Sequence, residues 1–347
     1  MTEMLMEKVT GPQAWRAADF KDDNSWLHQL SAEDIKEIEH ALDQVNGKGL
    51  HYKDVSADDF DLPTLGPKIA RIVDDELENG RGFGVLSGLP LDRYSFEDTQ
   101  MIYHSIIGCH LGKTLPQDIR GTKIEQITDR GLSYKKIDVR GYMTQSELTP
   151  HTDSGDLVVL LCVRPAKSGG LNYLTSGATI YNEIVEKHPE YLEPLYQGFH
   201  YNLRGNGPEG EFENITKHRV PVFCWHEGRL SVRFNQKAIL TAEQLPGVPP
   251  LTQLEKDAIN KVAELAMRED NVFTAMLQRG DIVMVNNWDV MHNRQAFVDY
   301  EDPNLKRRLL RLWVNIPNVR SLPWEIADHY NTGHREGTDT RESNQAA

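Results

Sequence analysis

The sequence predicts a mainly β fold with flanking helices, a double-stranded β-helix or jelly roll. Short apolar runs bounded by Gly, Pro, Asn and Asp recur between Gly80 and Val314, while capped segments with helical spacing lie before and between them. No repeat of 20–50 residues is visible, which removes solenoids and propellers. At 347 residues and 39% hydrophobic, the chain can bury a large core. A single domain is expected, with an N-terminal helical arm over 1–79, a β core over 80–330 carrying an insertion at about 200–270, and a mobile tail over 331–347.

In chain order, Trp15 and Trp26 suit a packed arm. Ser31-Ala-Glu-Asp34 reads as a capping box, and Ile35, Ile38, Ala41, Leu42 and Val45 follow at helical spacing up to Gly47. A second helix is expected from Leu65 to Leu77, stopped by Gly80. Gly80-Arg-Gly-Phe-Gly84 lacks the glycine spacing of a dinucleotide-binding turn and runs on to Pro90, so it reads as a strand. Ser95-Phe-Glu-Asp98 opens a helix to about Leu111, whose His104 and His110 read as satisfied or solvated side chains. Residues 113–150 read as irregular strands and a long loop. Leu157–Val163 is an unbroken apolar strand, followed by a turn at Lys167–Gly170, a short strand at Leu171–Thr175 and helices at Gly177–Val185 and Tyr191–Tyr196. Residues 200–235 alternate and turn often, which suits a β-rich insertion, and Thr252-Gln-Leu-Glu255 caps a helix ending near Glu269. Gly280-Asp281 turns into one apolar strand that delivers His292. In Lys306–Val314 a period of two places Arg307, Leu309 and Arg311 on one face and Arg308, Leu310 and Leu312 on the other.

Charge and cysteine usage narrow the function. With 38 basic against 52 acidic residues the net charge is −14, which argues against nucleic acid or an anionic membrane as partner and favours a small-molecule substrate. Cys109, Cys162 and Cys224 are far apart and odd in number, so they read as free thiols in a reducing cytoplasm. No basic-then-apolar leader and no apolar run of about 18 residues occurs, so neither secretion nor a membrane span is expected.

The chemistry starts at His151-Thr-Asp153. On an extended strand residues i and i+2 share a face, so this imidazole and carboxylate can close on one ion. His292 is the candidate third ligand. Two histidines and one carboxylate leave half of a metal's coordination sphere open, the arrangement of non-haem Fe(II) oxygenases. An arginine turned into an apolar barrel from the last strand needs an anion, and a dicarboxylate such as 2-oxoglutarate would supply it.

At these residues the chain resembles the Fe(II)/2-oxoglutarate-dependent oxygenases of the taurine dioxygenase-like group, TauD/TfdA, with their clavaminate synthase-like fold. The likeness is collinear from about Gly80 to Pro323, through Gly80–Pro90, Arg140-Gly-Tyr-Met-Thr144, His151-Thr-Asp153, Arg164–Gly170, Gly280-Asp281, Met291-His292-Asn-Arg294 and Arg307-Arg-Leu-Leu-Arg311. It implies a jelly-roll oxygenase with Fe(II) on His151, Asp153 and His292, and with 2-oxoglutarate and O2 as co-substrates. It implies, too, that Arg311 pairs with the distal carboxylate of 2-oxoglutarate and that Arg307 lies near the co-substrate and the substrate's anionic head; a surface salt bridge is the alternative for Arg307. Where the family has Thr or Ser two residues after Gly-Gly, this chain has Asn172, whose amide can still donate. Related halogenases lack the carboxylate that Asp153 provides, so hydroxylation, with release of succinate and CO2, is the expected reaction.

Arg140, Tyr142, Arg204, Arg233 and Asn235 are candidates to line the substrate entrance, and arginines there suit an anionic or amino-acid-like substrate. Two other classes stay open: a jelly-roll metal hydrolase or isomerase with the same ligands, and a non-catalytic barrel that binds a ligand. The family often forms dimers or tetramers, so a homo-oligomer is expected.

Overall fold

The structure, a computed structural model, describes residues 4–206, 214–317 and 320–336. Its largest sheet runs in the order β1 (Leu27–Gln29), β2 (Phe83–Ser87), β11 (Ile282–Asn286), β5 (Leu157–Arg164), β14 (Arg308–Asn315) and β3 (Lys113–Thr114), with β4 (Glu125–Ile127) also on β14. All its pairings are antiparallel except that of β1 with β2. A smaller antiparallel sheet has the order β10 (Val272–Ala275), β7 (Asn172–Ser176), β12 (Val290–Arg294). Two ribbons complete the strands: β6 (Ser168–Gly169) with β13 (Phe297–Val298), and β8 (Phe223–His226) with β9 (Arg229–Val232).

The pleat of β5 sorts its side chains. Leu157, Val159, Leu161 and Val163 join Leu310, Leu312 and Val314 in a core shared with the helices. Those helices are α1 (Ala32–Gly47), α2 (Leu65–Arg71), which continues as a π-helix over Ile72–Glu78, and α3 (Phe96–Met101), which continues as a π-helix over Ile102–Ile107. Ser31 caps α1 by the foreseen box, accepting from the Asp34 amide and giving its own amide to the Asp34 carboxylate. Tyr103 donates its hydroxyl across the interface to the carbonyls of Val159 and Leu310. The alternate residues Val158 and Cys162 belong to a second core with Leu174, Phe273, Leu309 and Trp313. A third core joins α4 (Gly177–Lys187), α5 (Leu192–Gln197), α6 (Gln236–Ala242) and α7 (Gln253–Ala266) to the β8–β9 hairpin.

Several expectations change. The apolar run expected as one strand from Asp281 to His292 is two, β11 in the large sheet and β12 in the small one, separated by a turn at Asn287–Asp289. Buried Asn286 builds that turn: its Oδ1 accepts from the Trp288 amide and its Nδ2 donates to Leu77 and Glu78. Helix α6 and strand β1 have no counterpart in the sequence reading. Within the tail expected to be mobile, Asn331 donates to the Ile215 carbonyl and Arg335 pairs with Asp156; residues 337–347 lie outside the described part. The three cysteines form no disulfide, and no helix among the described residues is long and apolar enough to cross a membrane.

Candidate active site

The residues at the mouth of β5 meet the middle of β12 through backbone hydrogen bonds. His151 and His292 exchange amide and carbonyl at 3.0 and 2.8 Å, which brings two imidazoles from chain positions 141 residues apart into contact, ring centroids 4.5 Å apart. Asp153 sits between them, with Oδ1 3.9 Å from His151 Nε2 and Oδ2 3.9 Å from His292 Nε2. One ligand atom from each of the three lies within 4.8 Å of the others. The predicted triad is therefore assembled.

This donor set fits a divalent iron. The His151 Nδ1 faces the carbonyl of Thr149 at 2.8 Å, and a carbonyl only accepts, so the proton sits on Nδ1 and Nε2 keeps a bare lone pair toward Asp153. Burial first, and then the neighbouring His151, depress His292 to about 3; burial also lowers His151. Both imidazoles are thus neutral, as ligands must be. For Asp153 burial acts to raise the carboxyl, but the Arg311 guanidinium above all, with the Trp313 hydrogen bond, outweighs it and holds the group well below the usual range. Arg311 Nη1 and Trp313 Nε1 both donate to Asp153 Oδ2, at 2.8 and 3.1 Å, which leaves Oδ1 for an ion. Asn287 Oδ1 takes the Asp153 amide and fixes the carboxylate's backbone.

A cavity opens from this triad between the two sheets, with Leu160, Leu309 and Arg311 from the large sheet and Asn172, His292 and Asn293 from the small one. Arg307 reaches it as well, from the face foreseen. The two arginines differ. Arg311 is committed to Asp153, and its Nε donates to buried Gln117 at 2.7 Å. Arg307 is 4% exposed, lies over the Phe297 ring and keeps Nη1 buried without any partner. Burial pulls its pKa down to about 10. The surface salt bridge considered for Arg307 is not formed with any described carboxylate, since the side chain is buried and turned into the cavity. Arg308, on the other face, lies over Phe96 of α3.

Of the five entrance residues, Arg140, Tyr142, Arg204 and Asn235 line the cavity. Arg233 does not. Its Nη1 donates to the backbone carbonyl of Asp153 at 2.6 Å and its guanidinium lies over Trp288, so it braces the metal motif from behind. Asn235 carries a second duty as the cap of α6, its Oδ1 accepting from the Ala238 amide. Among the lining or supporting residues that escaped the sequence reading are Gln117, Tyr134, Trp313 and Tyr330. Trp313 could have been found, being two residues beyond Arg311 on the same strand face. Gln117 carries no such signal.

Comparison with known proteins agrees with this geometry. A model of the family described as "Taurine catabolism dioxygenase TauD, TfdA family" matches residues 46–313. The "FR-33289 synthase" of Streptomyces rubellomurinus is 32% identical over 334 residues, covering 95% of this chain and 96% of its own. A "Taurine hydroxylase-like protein SAT17" of Stachybotrys chartarum is 27% identical over 320 residues, 89% of this chain and 80% of its own. Among solved structures, asparagine oxygenase in complex with Fe(II), 2S,3S-3-hydroxyasparagine and succinate superposes with a TM-score of 0.61 at 16% identity, over 84% of this chain and 93% of that one. The non-haem iron oxygenase OrfP in complex with Fe and alpha-ketoglutaric acid gives 0.60 at 13%, over 83% and 94%. The chain belongs to the TauD/TfdA family of non-haem iron, 2-oxoglutarate-dependent oxygenases.

Proposed function

We propose that this protein hydroxylates a C–H bond of a small anionic substrate and couples that oxidation to conversion of 2-oxoglutarate to succinate and CO2. The observation that carries the reading is the His151, Asp153, His292 cluster opening into the same cavity as a buried guanidinium with no partner, Arg307. The two sheets that contribute to that cavity are read as the halves of a double-stranded β-helix, in one domain.

Iron with 2-oxoglutarate and O2 supplies the oxidising power that an unactivated C–H bond requires. His151 and His292 would hold the metal through Nε2 and Asp153 through Oδ1. Arg307 is suited to the distal carboxylate of 2-oxoglutarate, because a planar fork meets a carboxylate with two parallel hydrogen bonds and an unpaired buried cation is otherwise costly. Asn172, at the same cavity, can add an amide donor, although its Nδ2 also reaches the Ala275 carbonyl at 3.3 Å. The expectation gave that carboxylate to Arg311; with Arg311 held by Asp153, its role becomes orientation of the ligand carboxylate. Ile127, Leu160, Leu309 and Trp313 supply apolar wall and exclude water from the reacting region.

The test is spectroscopic and kinetic. Anaerobic Fe(II) and 2-oxoglutarate should give a weak visible charge-transfer band with the wild-type protein and none with His151→Ala. Arg307→Gln should raise the 2-oxoglutarate concentration for half-formation of the band roughly ten- to a hundredfold. Equal 2-oxoglutarate affinity in Arg307→Gln and wild type would remove Arg307 from this role.

A further inference from the structure

Three backbone carbonyls of one loop converge on a single cation. Lys237, in the first turn of α6, gives its ammonium to the carbonyls of Tyr134, Lys136 and Val139 at 2.7, 2.8 and 2.8 Å, and the same nitrogen lies 4.0 Å from the centroid of the Tyr134 ring. An ammonium has three N–H donors, so all three are used. No described carboxylate forms an ion pair with Lys237, and a cation in a helix's first turn opposes the helix dipole. The partner that accounts for this side chain is the loop.

That loop, residues 130–143, contains no strand and a single 3-10 turn at Gly141–Met143. Its ends are pinned, because Arg130 gives its amide to the Met143 carbonyl at 2.9 Å and Gln145 Nε2 donates to Asp129 at 2.8 Å. Between the ends, the described hydrogen bonds to distant parts of the chain are the three from Lys237 and one from Arg140 to the Gln117 carbonyl at 3.0 Å. The loop matters to the site, since Tyr134, Arg140, Gly141 and Tyr142 all line the cavity of the His151, Asp153, His292 cluster. Lys237 is tied to that cluster from its other side. Two residues before it, Asn235 bridges to His151 and caps α6, and Phe234 exchanges hydrogen bonds with Thr152, its carbonyl taking the Thr152 amide at 2.7 Å and its amide reaching Thr152 Oγ1 at 3.2 Å. One lysine thus seats a wall of the cavity on the backbone that carries His151.

We propose that Lys237 is a positioning residue whose caged charge holds the 130–143 loop as a wall of the active-site cavity, and that the same cage takes a small free ammonium ion when the side chain is cut back. Truncation to alanine leaves three carbonyls aimed at a space of ammonium size beside an aromatic face, which suits a compact cation and has no room for a bulky one. Burial, and then the like charge of Arg204, lower the pKa of Lys237 to about 8, so the side chain is still mostly charged at pH 7. The seating of the loop stands apart from the oxygenase reading; its effect on co-substrate entry rests on that reading, and the test separates the two.

Hydrogen exchange is followed by mass spectrometry at pH 7, on the protein with and without anaerobic Fe(II) and 2-oxoglutarate. In Lys237→Ala and Lys237→Met the amides of 130–143 should exchange at least about tenfold faster than in wild type, while β5 and β14 keep their protection. Methylammonium chloride should restore slow exchange to Lys237→Ala but not to Lys237→Met, whose side chain fills the cage, and N-methylglucamine chloride at equal ionic strength should restore neither. In stopped flow, the charge-transfer band should form and decay faster in Lys237→Ala, and methylammonium should slow both again. Wild-type exchange of the loop in both variants overturns the seating, as does protection lost throughout the protein in both, which would make Lys237 a support of the fold at large. A loop that stays fast in methylammonium overturns the cage, and a freed loop with unaltered band kinetics overturns its place as a wall that 2-oxoglutarate passes. A wild-type protein that shows no band overturns the co-substrate reading and leaves the seating standing, because exchange is read without turnover.

Discussion

At the residue scale the site depends on how Asp153 is shared. Its Oδ2 accepts from Arg311 and Trp313, so the carboxylate would present Oδ1 to a metal. Outer hydrogen bonds of this kind typically change metal affinity about 10- to 100-fold. Trp313→Phe keeps an aromatic ring in the wall and deletes the indole N–H donor. It should weaken Fe(II) binding about tenfold in competition with a chelator, while the folded near-ultraviolet dichroism stays in place. An unchanged affinity would mean that Arg311 alone orients the carboxylate. Asn172→Ala is the milder change, expected to raise the half-saturating 2-oxoglutarate concentration less than about tenfold, since a neutral amide donor is worth about 1 kcal/mol. A shift as large as that of Arg307→Gln would place Asn172, not Arg307, as the principal anchor.

At the element scale the turn between β11 and β12 decides whether the third ligand arrives. The chain leaves the large sheet at Asn286 and enters the small one at Val290, so His292 is positioned by a turn and not by an uninterrupted strand. Asn286 is fully buried and makes three hydrogen bonds, to Leu77, Glu78 and the Trp288 amide. Asn286→Ala would orphan those groups in the core, which costs about 2–4 kcal/mol, and should lower the urea midpoint and Fe(II) affinity together. Loss of stability with iron affinity intact would show that β12 keeps its place without the turn. The same segment shows what was readable in advance. The His-x-Asp spacing picked out His151 and Asp153, although the strand assumed for them is only an isolated bridge at His151, and Arg307, just before β14, reaches the same cavity as Arg311 within it, as foreseen. The break was not foreseen, because Asn-Asn-Trp-Asp was embedded in apolar residues whose pattern suits one buried strand as well as two; the turn chemistry of asparagine and aspartate was the available signal. The partners of Arg311 were unreadable for another reason. Gln117 lies 194 residues away and Asp153 158 residues away, and no local pattern encodes a contact closed only by sheet topology.

At the scale of the whole molecule, the N-terminal arm staples distant parts of the chain together. Thr179 and Ser176 at the start of α4 donate to the carbonyls of Trp15 and Gln13, Asn182 takes the Val9 amide, and Trp15 donates across to Arg81 before β2. The one buried charge in this seam is Glu183, whose side chain is 2% exposed and receives Arg16 from the arm, Arg268 after α7 and Asn271 before β10. Burial acts to raise its carboxyl, but the hydrogen bonds from Arg268, Arg16 and Asn271 win and bring it down to about 2 from an ordinary 4.5. The sign follows directly. A carboxyl depressed in the folded state contributes stability that is complete above its unfolded value and is lost as the pH falls from about 4.5 toward 2. Glu183→Gln keeps the shape and removes the charge, leaving two half-exposed arginines without their shared partner. It should destabilise the protein by about 2 kcal/mol at pH 7 by urea titration, and the gap to wild type should narrow as the pH is lowered through 4.5. Protease cleavage within the first 20 residues should rise in the variant at neutral pH, since Arg16 ties that segment to α4. A gap that stays constant across the same pH range would assign the stabilisation to packing around Glu183 instead of to its charge.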